Sequence, residues 1–343
     1  MPPSLRTADP VAEGILSAIG DTPVVGLKNL MPGAGVRLFA KLEMLNAGGS
    51  SKARVALNML REKIRSGELR AGVSTVVESS SGNLAIGLAQ VCRYYGLRFI
   101  CVVDPKTTSH NLAILRAYQA TVEIVREPDA LTGEYLPARL RRVREIVANT
   151  PDAYWPNQYT NPLNAQAHEQ TMREISAALG GRIDYVFCAT SSCGTVRGCS
   201  DYVRRSGMPT TVVAVDAVGS AIFSPHTPSA QRLIPGYGSA FRPGLLEPGT
   251  VDEVVRVTDL DSIVACRRLM SRESILAGGS SGATVAAVET MLDRMRTGAT
   301  CVAIFPDSGD RYLDTIFSDA WVRRHFGEVG HLWADPVDAV EGR

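Results

Sequence analysis

Lys52 is the residue whose setting most invites chemistry. It follows the turn-rich stretch Asn46-Ala47-Gly48-Gly49-Ser50-Ser51, in which the two glycines let the backbone take positive φ. Ser50 or Ser51 can cap the helix that comes next. Val55, Leu57, Met59 and Leu60 fit the buried face of that helix, with Arg54, Arg61, Glu62, Lys63 and Arg65 on its wet side. Lys52 therefore stands in a first helical turn, where the macrodipole disfavours a cation. An amine there gives up its proton more easily, and a neutral amine is the form that makes a Schiff base. A lysine after a flexible loop is also, most often, a plain surface lysine, so its neighbours in the fold have to decide.

Three further segments share the order strand, small polar loop, helix: residues 79–83 (SSSGN), 190–195 (TSSCGT) and 278–282 (GGSSG). Backbone N–H groups at such helix starts collect anions, although ordinary βα turns are also rich in glycine and serine. None of the three fits GxGxxG or GxxxxGK[ST], which argues against a dinucleotide site and a P-loop.

These loops need a scaffold that presents them together. Strands are expected at 37–43, 73–78, 98–104, 121–126, 183–189, 211–216, 254–258 and 299–305. Helices are expected at 84–95, 111–120, 136–148, 167–179, 196–206 and 259–273. Their alternation predicts an α/β fold in two domains, each with a mainly parallel sheet flanked by helices. Residues 46–150 read as a smaller domain carrying the SSSGN loop, residues 1–45 with 151–331 as a larger one, and 332–343 as a loose tail. The connections 154–164 and 219–248 are irregular, and long irregular loops are more often functional than structural. The full chain of 343 residues is long enough for both domains.

The formal net charge of +1 gives no reason to expect nucleic acid or an anionic membrane as a partner. No apolar run approaches the ~20 residues of a membrane span, and MPPSLRTADP lacks the basic-then-apolar pattern of a signal peptide. The 7 cysteines are scattered and never form a CxxC pair. That points to reduced thiols in a cytoplasmic protein, with no disulfide framework and no metal site.

Taken in order, the motifs resemble those of the fold-type II pyridoxal-phosphate (PLP) enzymes, and within them the cysteine synthase and cystathionine β-synthase family. GDTPVVGL at 20–27 is similar to that family's IGNTPLVRL opening, and KLEMLNAGGSSKAR at 41–54 to its KLE-x-x-NPGGSxKDR lysine motif. SSSGN resembles its TSGNT loop, TSSCGTVRG at 190–198 its phosphate loop, and GGSSGA at 278–283 its pyridine-nitrogen motif. The resemblance implies that Lys52 holds PLP as a Schiff base and later takes the substrate Cα proton. It implies that Asn83 bonds the cofactor's ring hydroxyl, that Ser191, Ser192, Cys193, Gly194 and Thr195 cradle its phosphate, and that Ser280 faces its pyridine nitrogen. Ser80, Ser81 and Gln158 match positions that hold the substrate α-carboxylate. The region 219–248 lines the substrate in this family; Arg232 is the stronger candidate there for a leaving phosphate, ahead of Arg242, which precedes Pro243 at the loop's exit.

The departures are informative. Ala53 stands where the family has aspartate, Leu84 where it has threonine, and Cys193 where it has glycine; the last reads as a small residue tolerated in a tight loop and not as a redox switch. Ser280 is no departure: a serine matches the family's residue at the pyridine nitrogen, and as a weaker partner than an aspartate it favours β-elimination chemistry over transamination. The serine triplet 79–81 resembles the N-(2-amino-2-carboxyethyl)-L-glutamate synthase subgroup, which makes 2,3-diaminopropionate precursors for siderophores and peptide antibiotics. The implied reaction joins O-phospho-L-serine to L-glutamate through an aminoacrylate intermediate, in a homodimer. Two rivals stand beside it: a cysteine synthase using O-phosphoserine or O-acetylserine with sulfide, and a non-catalytic PLP-fold protein that binds a partner.

Overall fold

Residues 14–131, 133–224 and 232–334 are described in a computed structural model of the chain. The first strands are β1 (Val24–Gly26) and β2 (Arg37–Leu42), followed by α1 (Lys52–Arg65), β3 (Thr75–Ser79), α2 (Asn83–Tyr95) and β4 (Arg98–Val103). Next come α3 (Ser109–Ala117), β5 (Thr121–Ile124), α4 (Tyr135–Ala148), β6 (Ala153–Tyr154) and α5 (Pro162–Ala178). The chain continues through β7 (Tyr185–Ala189), α6 (Gly194–Arg205), β8 (Thr211–Ala217), β9 (Glu253–Val257) and α7 (Asp259–Glu273), and then α8 (Gly279–Met291), β10 (Thr300–Phe305) and α9 (Asp319–Phe326).

Two sheets divide these strands. One has six strands in the order β1-β2-β10-β7-β8-β9, the other four in the order β5-β4-β3-β6. Every described pairing is parallel except β1 with β2. The central strands β3 (TVVES) and β10 (TCVAIF) are buried at every position, as expected for parallel strands covered on both faces by helices. The larger sheet packs Phe187, Val215, Ala303 and Phe305 against α7 and α8 through Ile263, Leu269, Val285 and Val288. The smaller packs Val76, Phe99 and Cys101 against Leu60 of α1 and Leu84, Leu88 and Val91 of α2.

The differences from the sequence reading have local causes. The strand expected at 73–78 starts only at Thr75, because Val73 and Ser74 donate their N–H groups back to Arg70 O in a turn. The helix expected from 167 begins at Pro162, where Asn161 caps Leu163 N–H and the proline takes the first position. β6 lies partly in the stretch read as irregular; Ala153 and Tyr154 pair with Thr75 and Val76, so the four-stranded sheet draws on residues beyond 150. Helix α9 has no counterpart in the sequence reading and starts at Ser318, which caps Trp321 N–H. Arg54, expected on the wet side of α1, is buried instead. Residues 1–13 of the expected larger domain, 225–231 of the long loop, and 335–343 of the expected tail lie outside the described residues. No helix among the described residues is long and apolar enough to cross a membrane.

Parallel α/β sheets present ligand-binding loops at the carboxyl ends of their strands. Here the segments that leave β2, β3, β7 and β10 are the Lys52 turn, the SSSGN loop, the TSSCGT loop and residues 306–312.

Candidate active site

Lys52 is the first residue of α1. Gly49 makes the turn before it with φ +71°, a conformation that suits glycine. Ser51 occupies the cap position but makes no capping bond, and its Oγ has no partner; Ser50 Oγ accepts from Lys52 N–H at 3.3 Å instead. The turn is stitched to the end of β10, because Ser51 N–H donates to Pro306 O at 2.8 Å and Ser50 forms a bridge with Asp307. Burial pulls the Lys52 amine below its usual range, while the Asp307 and Glu43 carboxylates oppose the shift.

The start of α1 is anchored by buried charges. Arg54 donates to Glu43 through Nε at 2.7 Å and NH2 at 2.8 Å, and to Glu174 through NH1 and NH2 at 2.7 Å each. Lys41 Nζ, fully buried on β2, meets the same Glu174 at 2.6 Å. Burial alone would raise Glu174, but Arg54 and Lys41 outweigh it and hold the carboxyl down at about 2. This network ties β2, α1 and α5 together two residues from Lys52.

The TSSCGT loop leads into α6. Cys193 sits at its N-cap with φ +64°, a left-handed conformation that explains why the family carries glycine there. A Cβ on Gly194 would collide with Asn164 Oδ1, so the loop lies flat against the asparagine. Asn164 Nδ2 donates to Gln158 O at 2.7 Å and to Ser192 Oγ at 3.1 Å, and its Oδ1 has no partner. Thr195 Oγ1 lies 3.2 Å from His168 Nε2. Burial, with smaller help from Lys52 and Arg54, keeps the His168 imidazole neutral by pushing its pKa well below the ordinary value. Burial also pushes the Cys193 thiol up to about 12, leaving it unreactive.

On the smaller sheet, Ser80 Oγ accepts from Gly82 N–H at 3.4 Å and Ala85 N–H at 3.3 Å. Its hydroxyl proton remains for a carboxylate oxygen. Ser81 is half-buried and is held through its backbone oxygen by Asn111 Nδ2 at 2.9 Å. Asn83, the first residue of α2, reaches across to the far end of β10. Its Nδ2 donates to Asp307 Oδ2 at 2.7 Å, and its Oδ1 accepts from Arg311 NH1. Ser280 is buried in the first turn of α8, where a Cβ added to Gly236 would come within 3.7 Å of its hydroxyl. Gln158 is buried beside Asn164.

Arg232 packs against Gly238, whose N–H donates to Thr190 O at 2.6 Å. The segment carrying it thus touches both Ser280 and the TSSCGT loop, while Arg232 itself is within electrostatic reach of Asp216 and Asp259. Arg242 donates to Leu246 O at 3.2 Å, and its charge reaches Cys193.

Several site residues had no weight in the sequence reading. Asp307 is buried where the Lys52 turn, Asn83 and Gly278 converge, since Gly278 N–H donates to Asp307 O at 3.0 Å. Tyr312 OH donates to Asp307 Oδ2 at 2.7 Å. Arg139 on α4 is mostly buried and faces Asp104 at 3.3 Å, yet its Nε and NH1 make no aligned hydrogen bond. Its charge acts on Tyr159 and on Cys101, whose thiol donates to Ser80 O at 3.1 Å. Glu78, immediately before the SSSGN loop, is pushed up to about 7 by burial, although Trp155 Nε1 and Ser79 N–H donate to its Oε1 at 3.0 and 2.8 Å. The signal in the sequence was slight: a charged residue at the end of an apolar strand, as in Val-Val-Glu78 and Phe-Pro-Asp307.

The donor set suits an aldehyde cofactor with a phosphate tail. There is an amine drawn toward its neutral form, a helix N-terminus lined by Ser191, Ser192, Cys193, Gly194 and Thr195, and a buried hydroxyl at Ser280 with no carboxylate in its place. Unpartnered buried oxygens on Ser51, Ser281, Asn164 and Asp307 surround the same region. A family model described as "Pyridoxal-phosphate dependent enzyme" matches residues 15–307.

The chain belongs to the pyridoxal-phosphate dependent enzymes.

The enzyme is 44% identical over 315 residues to N-(2-amino-2-carboxyethyl)-L-glutamate synthase from Ralstonia nicotianae, covering 92% of each chain. It is 44% identical over 318 residues to the protein of that name from Cupriavidus metallidurans, again covering 92% of both. Among solved structures, an O-ureido-L-serine synthase superimposes with a TM-score of 0.81 at 30% identity, covering 91% of this chain and 99% of that one. The O-acetylserine dependent cystathionine β-synthase from Helicobacter pylori gives a TM-score of 0.81 at 28% identity, covering 89% and 98%. The enzyme thus has the fold-type II architecture and depends on PLP.

Proposed function

We propose that the enzyme catalyses a β-replacement that joins O-phospho-L-serine to L-glutamate, giving N-(2-amino-2-carboxyethyl)-L-glutamate and inorganic phosphate. The observation that carries this reading is the 44% identity, over 92% of the chain, to two relatives bearing that activity in their names. PLP, when bound, supplies an electron sink for the substrate Cα. In this reading Lys52 holds the cofactor and, once released, takes the Cα proton as a neutral amine, which its burial favours. Asn83 would donate to the ring oxygen through its remaining Nδ2 hydrogen. Ser191, Ser192, Cys193, Gly194 and Thr195, with the N–H groups opening α6, hold the phosphate tail. Ser280, buried in the first turn of α8, would offer a hydroxyl and no carboxylate to the ring nitrogen, a weak partner that would suit loss of a β-substituent.

The substrate carboxylate is assigned to Ser80 and Ser81 at the opening of α2, with Gln158 from the connection before α5. Arg232 is assigned to the departing phosphate, because the segment that bears it packs on Ser280 and Thr190. Arg139, ion-paired with Asp104 at 3.3 Å but with no aligned hydrogen bond at Nε or NH1, is assigned to a carboxylate of the incoming glutamate. Residues 46–150 form the smaller lobe in this account and close on the larger when the first substrate binds. The enzyme is read as a cytoplasmic homodimer acting on small amino acids; the family resemblance supports the dimer, and the reduced, scattered cysteines support the compartment. Phosphate release from O-phosphoserine, followed with and without L-glutamate, tests the reaction: it must accelerate with glutamate, and a rate indifferent to glutamate would refute the proposed acceptor.

A further inference from the structure

Asn83 is gripped from the opposite lobe by two groups of opposite hydrogen-bonding character. An asparagine amide has one acceptor and two donor hydrogens, and the orientation of its end is set by its partners. Asp307 accepts from Nδ2 at 2.7 Å. Arg311 donates to Oδ1, and a guanidinium can only donate. Reversing the amide would place oxygen against carboxylate and NH2 against guanidinium, so both neighbours enforce a single orientation. The second Nδ2 hydrogen is the one left for another acceptor.

Both neighbours are themselves fixed. Tyr312 OH donates to the same Asp307 oxygen at 2.7 Å, Asp307 C=O accepts from Gly278 N–H at 3.0 Å, and Asp307 is bridged to Ser50 in the Lys52 turn. A Cβ on Gly278 would run into Asp307 Oδ1, so the carboxylate lies directly against that glycine. Arg311 NH2 donates to Gly48 O at 3.2 Å, in the glycine turn that precedes Lys52. Burial raises the Asp307 carboxyl, and Tyr312, Asn83, Arg311 and Lys52 all act to keep it ionised.

We propose that Asp307 and Arg311 are positioning residues that lock the Asn83 amide so that an N–H, and never its oxygen, is presented to the cofactor's ring oxygen. The inference rests on the assignment of Lys52 and Asn83 to PLP. The lock also links the lobes, since Asn83 opens α2 while Asp307 and Arg311 follow β10. An N–H donor stabilises the ring oxygen in its anionic form, which absorbs at longer wavelength than the neutral phenol form. The amide's orientation is therefore readable in the cofactor spectrum without turnover.

The test uses the full chain reconstituted with PLP, recording the ratio of the long- to the short-wavelength band and the cofactor dissociation constant of the apoprotein. Arg311→Met and Asp307→Ala should each lower that ratio roughly tenfold, the size of a lost charge-assisted hydrogen bond. Arg311→Lys, which keeps a donor, should recover part of it. In an Asn83→Ala background, Arg311→Met should add nothing, because both changes remove one interaction. An unchanged spectrum in Arg311→Met and Arg311→Lys, or an Arg311→Met shift that persists in full without Asn83, would overturn the lock. A wild-type protein that takes up PLP with no visible band at all would instead overturn the cofactor assignment on which the lock depends.

Discussion

Arg54 and Glu43 meet through two hydrogen bonds at 2.7 and 2.8 Å with both side chains buried, two residues from Lys52. Bidentate geometry and a second carboxylate on Glu174 satisfy the guanidinium. Removing the arginine would leave Glu43 buried without an ion-pair partner and Glu174 with Lys41 alone. Arg54→Ala is expected to destabilise the fold by about 3–5 kcal/mol, the usual result of breaking one side of a buried pair. Urea unfolding of the cofactor-free protein measures it. A loss below about 1 kcal/mol would mean that the network does not hold α1 in place.

Lys52→Ala keeps a good helix former at the first position of α1, so the fold should persist. Turnover and the visible absorbance of bound cofactor should disappear together. Retention of either, in a folded variant, would reassign the Schiff-base lysine.

Glu78 gives the stability a pH dependence of known sign. Its carboxyl titrates near 4.5 in the unfolded chain and at about 7 when folded, with burial as the main cause. The folded state therefore holds a proton that the unfolded state releases between those values. The stabilisation from Glu78 is fully present below about 4.5 and is lost as the pH rises through about 7. Glu78→Gln should lack that slope, gaining about 2–3 kcal/mol on the wild type between pH 4.5 and 8. Chemical denaturation at the two pH values checks it; parallel profiles for both proteins would show that Glu78 is ionised throughout.

How much of this was legible in the sequence can be stated residue by residue. Lys52, Asn83 and Ser280 all open helices, as the small polar residues before them indicated, because caps and turns are local chemistry. Strand alternation with helices was equally local, and the two parallel sheets follow from it. Arg54 was misplaced because its periodic position pointed outward from α1, whereas α5 covers that face with Glu174, 120 residues away. Asp307 and Arg139 carried no motif; their roles come from contacts across the fold, which a periodicity cannot register. Cys193 looked like a tolerated substitution, and only the backbone angle of +64° shows why glycine is the family's usual choice.

The proposed roles of the two arginines assign one to each substrate. Arg139→Ala should raise the KM for glutamate and cut kcat/KM by about ten- to a hundredfold, with sulfide as acceptor unaffected. Arg232→Ala should cost a similar factor with O-phosphoserine and little with O-acetylserine, since only phosphate needs a charged partner. Initial rates for the four donor and acceptor combinations decide both. Equal losses across all four would reduce the arginines to structural roles.

The central claim is that the bond formed joins serine Cβ to the amino nitrogen of glutamate. The most direct measurement incubates the PLP-loaded enzyme with O-phosphoserine and an equal mixture of amino-labelled L-glutamate and sulfide, and identifies the product by mass. The account predicts N-(2-amino-2-carboxyethyl)-L-glutamate carrying the label, formed together with phosphate. Cysteine as the product, with glutamate left unconsumed, would contradict it.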